Sequence, residues 1–152
     1  MNRLIISDTS CLIALSKIGK LDLLKELYQE IFITTEVYKE FGGRLPDWII
    51  IIEVKSKYKQ KELEVKLDKG EASSIALALE SKNPTLIIDE IKGRKIARSF
   101  NLNMIGTIGI IILAHKKGLI SDVVEIILQL VRKGFRLSDT LISKIIEKYG
   151  RK

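Results

Sequence analysis

At 152 residues, 46% of them hydrophobic and 30% charged, the chain has the size and composition of one globular domain, with a core large enough to need no metal or disulfide staples. Its single cysteine and single histidine exclude an intramolecular disulfide and a Cys/His zinc cluster, so chemistry falls mainly to carboxylates. The net charge of +7 points to a polyanionic partner, although lysine-rich surfaces also serve solubility and suit a heat-adapted protein.

In chain order, Leu4, Ile5 and Ile6 read as a short strand, broken by Asp8-Thr9-Ser10 and followed by a helical apolar pattern through Leu12, Ile13 and Leu15. A strand thus delivers a carboxylate to its C-terminal end, where ligands bind in open α/β sheets. The plainer alternative is that Asp8, Thr9 or Ser10 only caps the helix. Residues 10–18 and 20–29 predict two helices broken at Gly19, and residues 31–34 a second strand. Thr34 or Thr35 caps a helix containing Val37 and Glu40, which Gly42-Gly43 terminates. Residues 48–54 (WIIIIEV) are apolar at consecutive positions, the pattern of a strand covered on both faces. Residues 55–69 form a charged, solvent-facing segment with some helix.

Gly70-Glu71 opens the clearest helix, with Ala72, Ile75, Ala76 and Leu79 at helical spacing. A strand then ends in Asp89, a basic helix carries Arg94, Lys95 and Arg98, and residues 103–105 make a fifth strand. Gly106-Thr107 begins an apolar helix, and two more follow over 121–133 and 138–149, the last capped by Ser138. Strands alternating with helices predict a three-layer α/β/α sandwich with a mainly parallel sheet of about five strands, as a single domain over 1–152. No apolar run is long enough to cross a bilayer and the N-terminus does not read as a signal peptide, so no membrane partner and a cytoplasmic location are expected. His115, beside Leu113 and Ala114, reads as a boundary residue, and Cys11 as a small buried side chain.

Asp89 repeats the Asp8 pattern, so two strands present acids at one sheet edge. Glu40 stands near a helix C-terminus, where the dipole disfavours negative charge, whereas Glu36 in the first turn is placed structurally. Glu71 serves the dipole at its helix start or, one turn ahead of Ile75, points inward. Asp8, Glu40, Glu71 and Asp89 together define one candidate crevice. Two unit charges about 4 Å apart interact by roughly 4 kcal/mol at an effective dielectric near 20, so several ionised carboxylates need a cation. An all-oxygen ligand set selects Mg²⁺ or Mn²⁺.

The ordered segments IISDTSCLIAL, TTEVYKEF, LDKGEASSIALALE, LIIDEIKGRKIA and MIGTIGIIILAHKKGLI resemble the PIN domain, a fold of metal-dependent nucleases, over nearly the whole chain. The nearest likeness is to a PIN-like branch of small prokaryotic proteins related to the toxin ribonucleases of toxin-antitoxin pairs. The resemblance matches the family's acids to Asp8, Glu40, Asp89 and, in a Gly-Glu-Ala context where many toxins carry Asp, Glu71. It matches Thr9 or Ser10 to the small hydroxyl residue beside the first acid, able to orient Asp8 or a metal-bound water, and Thr107 to a position near the site, where a helix N-terminus could receive a phosphate. It implies hydrolysis of RNA phosphodiesters, leaving a 5′-phosphate and a 3′-hydroxyl, with one metal or two. RNA would run over Arg94, Lys95 and Arg98, for which a solvated helix face is the equal alternative. Toxin-like relatives pair with a small antitoxin protein that blocks the acidic cleft and commonly form homodimers; neither partner is readable in these residues, and the apolar helices at 107–117 and 121–131 serve an interface or the core.

Other readings fit less well. A haloacid dehalogenase phosphatase needs a second Asp two residues after the first, where this chain has Ser10, and a receiver domain needs an acid pair in its first loop. The stronger rival is a non-catalytic nucleic-acid-binding module of the same fold.

Overall fold

The computed structural model describes residues 3–150. Five strands, β1 (Leu4–Ser7), β2 (Ile31–Thr34), β3 (Ile49–Ile52), β4 (Pro84–Ile87) and β5 (Asn103–Ile105), form one all-parallel sheet in the order β3-β2-β1-β4-β5. Helices α1 (Thr9–Lys17), α2 (Asp22–Tyr28), α3 (Thr35–Phe41), α4 (Lys57–Glu64), α5 (Lys69–Leu79), α6 (Ile91–Ser99), α7 (Thr107–Lys116), α8 (Val123–Arg132) and α9 (Asp139–Tyr149) connect and flank it. This is the three-layer α/β/α architecture that the alternation of elements predicts.

The two layers follow from the two-residue period of the strands. Ile5, Ile31, Ile33 and Ile87 turn to one face and pack with Leu12 and Leu15 of α1, Leu24 of α2, Ile110 and Ile111 of α7 and Ile127 of α8. Their neighbours Ile6, Leu86 and Ile88 turn to the other, against Leu63 of α4, Ile75 and Ala76 of α5 and Ala97 of α6. Each Leu or Ile taken fully out of water contributes about 1.5–3 kcal/mol. The apolar stripes of α7 and α8 thus belong to the chain's own core.

Side-chain caps set where most helices begin: Thr34, Ser56, Asp68, Asp122 and Ser138 accept from the backbone N–H three residues on in α3, α4, α5, α8 and α9. Gly42, with φ 72°, ends α3 in the left-handed conformation. One expectation is corrected. β3 lies at the edge of the sheet and Ile51 is 43% exposed, so the consecutive isoleucines are not covered on both faces. A run without alternation records that no position had to be polar, and an edge strand beside α3 satisfies that as well as a central one.

Candidate active site

β1 is central, and the chain leaves it toward β2 on one side while β4 lies on the other, which puts the switch point of the topology at the end of β1. The Asp8 N–H donates to the Ile87 carbonyl at 2.9 Å, so β1 and β4 end together and Asp8 and Asp89 emerge at one edge. Asp8 occupies the N-cap position of α1, but its side chain makes no capping bond. The capping alternative therefore does not account for its carboxylate.

The four expected acids converge. Asp8, Glu40, Glu71 and Asp89 line one cleft of about 550 Å³, with Thr9, Ser10, Asp68, Glu90 and Arg136. Thr34 caps α3, which carries Glu40 to the rim, and Asp68 caps α5 by accepting from the Glu71 N–H at 2.8 Å. Glu71 is consequently held in the first turn of α5 with its side chain buried. Glu36 takes the structural place expected of it, accepting from Thr35 Oγ1 at 2.8 Å and Gln60 Nε2 at 2.6 Å.

Glycines let the carboxylates approach. A Cβ on Gly70 would stand 3.0 Å from Glu40 Oε1, 3.2 Å from Asp8 Oδ1 and 3.3 Å from Thr9 Oγ1, so the missing side chain is the cradle between the first two acids. A Cβ on Gly93 would come within 2.8 Å of Glu71 Oε2, and one on Gly106 within 2.9 Å of Asp89 Oδ1. Helices α6 and α7 can close on the acids only because these positions carry no side chain.

Asp89 and Asp8 are held differently. Asp89 Oδ1 accepts from the Thr107 N–H at 2.7 Å, and Oδ2 from Thr107 Oγ1 at 2.6 Å and Ser10 Oγ at 2.9 Å. Three donors on two neighbouring helices fix its orientation. Asp8 Oδ1, Thr9 Oγ1 and Glu71 Oε2, in contrast, are buried with no hydrogen-bond partner. Burial, with the nearby charges of Asp68, Glu40 and Asp89, pushes the Asp8 carboxyl up to about 7. Burial and the neighbouring charges of Asp68 and Asp8 raise Glu71 to about 8.

The remaining sequence candidates spread out. On α6, Arg94 is half-buried and donates to the Ile88 carbonyl at 2.7 Å, while Lys95 and Arg98 are exposed and outside the cleft lining. His115 bonds through Nδ1 with the Ile120 carbonyl at 2.9 Å and meets Tyr149 edge-on, a structural position away from the acids. Burial lifts the Cys11 thiol to about 12, which leaves it inert.

A family model described as a PIN domain matches residues 4–151. The chain belongs to the PIN-domain family. No curated protein and no solved structure matches it. The PIN domain is generally a nuclease fold whose members use divalent metals. Among the described residues no three His, Cys, Asp or Glu side chains form a ready-made ligand cluster. In this PIN domain the acids instead surround a cleft, and the fit to a hard cation rests on their chemistry. The donor set is all oxygen, two of its carboxylate oxygens are buried without partners, and Gly70 keeps the space between Asp8 and Glu40 clear.

Three charged lining residues escape the sequence reading. Asp68 is concealed by its role as a helix cap, although Asp68-Lys69-Gly70-Glu71 is a capping-box spacing that sets a second acid beside Glu71. Glu90 follows Asp89 directly, so the acid pair was visible. Arg136 sits between α8 and α9, where no periodicity marks it.

Proposed function

We propose that this PIN domain is a metal-dependent endoribonuclease that hydrolyses RNA phosphodiester bonds in the acidic cleft. The observation that carries the reading is the meeting of Asp8, Glu40, Glu71 and Asp89, from four separate segments, around buried carboxylate oxygens that nothing in the chain satisfies. Asp8 and Asp89, with help from Glu40 and Glu71, would hold Mg²⁺ or Mn²⁺. Such an ion supplies polarisation of the scissile phosphate and a lowered pKa for water attacking in line.

The chain's own groups do the rest. Thr107 and Ser10 orient Asp89 through its three hydrogen bonds, and Thr9 sets a buried hydroxyl beside Asp8. Asp8 and Glu71, whose carboxyls are raised to about 7 and about 8 in the cleft without a cation, would give up those protons as a cation binds, so its affinity should rise with pH. The N-terminus of α7 brings the positive end of its dipole to the same edge.

Labelled single-stranded RNA incubated with Mn²⁺, beside Asp8→Asn and Asp89→Asn proteins, tests the reading. Cleavage by the wild type alone supports it; binding without metal-dependent cleavage would leave the non-catalytic module. A toxin role in a toxin-antitoxin pair, with a small antitoxin over the cleft, a homodimeric assembly and a cytoplasmic setting, extends the proposal. A neighbouring open reading frame whose product co-purifies with this chain and blocks cleavage would support that extension.

A further inference from the structure

Arg136 is the only cation among the described residues lining the acidic cleft. It also lines a groove of about 300 Å³ between α1 and the α8–α9 turn, formed with Ser10, Ile13, Lys17, Lys133 and Phe135 among others. The groove and the cleft share Ser10, Ile13 and Arg136, so one runs into the other. Their electrostatics are opposite: the groove lining contains three cations and no carboxylate.

Lys17 lies in the last turn of α1 and Lys133 just past α8, where helix dipoles favour positive charge. That explanation fails for Arg136, two residues ahead of the Ser138 cap of α9, at the end where the dipole opposes a cation. Nor does a local partner account for it. No ion pair between described residues engages Lys17, Lys133 or Arg136, and all three are exposed. Half-buried Phe135 stands between Lys133 and Arg136 along the turn, which adds an aromatic face to the row of charges. A cationic groove with an aromatic face is the combination that holds a single strand by its phosphates and a base.

We propose that this groove is the track along which single-stranded RNA reaches the acids, with Arg136 gripping the phosphate next to the scissile one. The inference rests on the ribonuclease reading for what happens in the cleft, and it adds the direction from which substrate arrives. A polyanion meeting several carboxylates is repelled until cations beyond them hold it in place. Arg136 stands at that threshold, and its planar guanidinium suits bidentate contact with a phosphate.

The test is fluorescence anisotropy of a short labelled single-stranded RNA on the full chain in EDTA, repeated across a salt series. Arg136→Gln should weaken binding about tenfold and reduce the salt slope by about 0.7, the value for one phosphate of a single strand left without its cation. The double variant Lys17→Gln/Lys133→Gln should lower the slope further, Arg136→Lys should restore most of it, and Lys95→Gln/Arg98→Gln on α6 should bind as the wild type does. Thermal melting of each variant checks that it is folded. The proposal is overturned if the groove variants keep the wild-type slope, if the α6 variant carries the loss, or if the wild type does not bind. Because EDTA removes turnover, the two readings fail separately. A wild type that binds through the groove yet never cleaves with Mn²⁺ ends the catalytic reading alone, and one that cleaves with KM unchanged by Arg136→Gln ends this one alone.

Discussion

The two ends of the sheet each carry a hollow, and the larger is the less informative. At the N-terminal ends of the strands a space of about 1030 Å³ lies among Arg3, Tyr28, Phe32 and Lys82, while the acidic cleft at the opposite ends is about 550 Å³. In the larger one Arg3 Nη1 already donates to Thr85 Oγ1 at 2.9 Å, and none of the buried unpartnered oxygens among the described residues borders it. At the smaller one Asp8, Thr9 and Glu71 each present such an atom. A buried polar atom without a partner costs about 1–3 kcal/mol, so a fold that keeps three around one space forgoes stability there. Size measures room for solvent; unsatisfied chemistry marks a site.

Substitution at both ends breaks or sharpens this contrast. The largest effect is expected at the acids: Asp8→Asn or Asp89→Asn should lower Mn²⁺-dependent RNA cleavage by more than about 100-fold, above the range for residues that only support a ligand. Tyr28→Phe and Lys82→Gln at the other end should stay within about twofold. Equal losses at both ends in a gel-based cleavage assay would remove the distinction.

Thr107→Val comes next, with a loss of about 10–100-fold, because it takes one of three donors from Asp89 while leaving the backbone donor in place. Ser10→Ala, removing the longest of the three bonds, should lose less. Gly70→Ala separates stability from ligand binding. Alanine favours the helix by up to about 1 kcal/mol, yet its methyl group would sit 3.0–3.2 Å from oxygens of Glu40 and Asp8. Unchanged or raised thermal stability together with Mn²⁺ affinity about tenfold weaker, read by calorimetric titration, is the expected pair of results.

The smallest and most graded effect is on stability against pH. Folding raises Asp8 from 3.8 to about 7 and Glu71 from 4.5 to about 8, so between these values the folded chain binds more protons than the unfolded one. Their stabilising contribution is complete below about pH 4 and is lost as pH rises through 7 and 8. In EDTA the wild type should lose Tm relative to Asp8→Asn on going from acidic to alkaline buffer. Mg²⁺ or Mn²⁺ should recover the difference at alkaline pH. A constant Tm difference between the two proteins across the range would show that the Asp8 carboxyl is not raised.

How legible the molecule was depends on the scale of the signal. Asp8 and Asp89 could be read because each interrupts an apolar strand at its end, and Glu71 because its inward direction follows from the spacing to Ile75. Those patterns extend over many residues and fix orientation through the backbone period. The edge position of β3 could not be read, since the isoleucines of an edge strand backed by a helix look like those of a central one. Asp68 was hidden by having two duties, a helix cap being the commoner reason for an acid in that place. Arg136 depends on how the α8–α9 turn folds back beside α1, a meeting of distant parts of the chain to which no local pattern points.

The central position of β1 has a consequence for the time at which the cleft comes into being. Asp8 and Glu40 lie in the half of the chain that supplies β1, β2 and β3, while Asp89 and the Thr107 that fastens it arrive with β4 and the start of α7. A chain still on the ribosome carries the first pair without the second, and β1 has only one neighbour. Until β4 docks beside β1 the nascent chain holds only part of the acidic cleft, so order of synthesis alone delays its assembly.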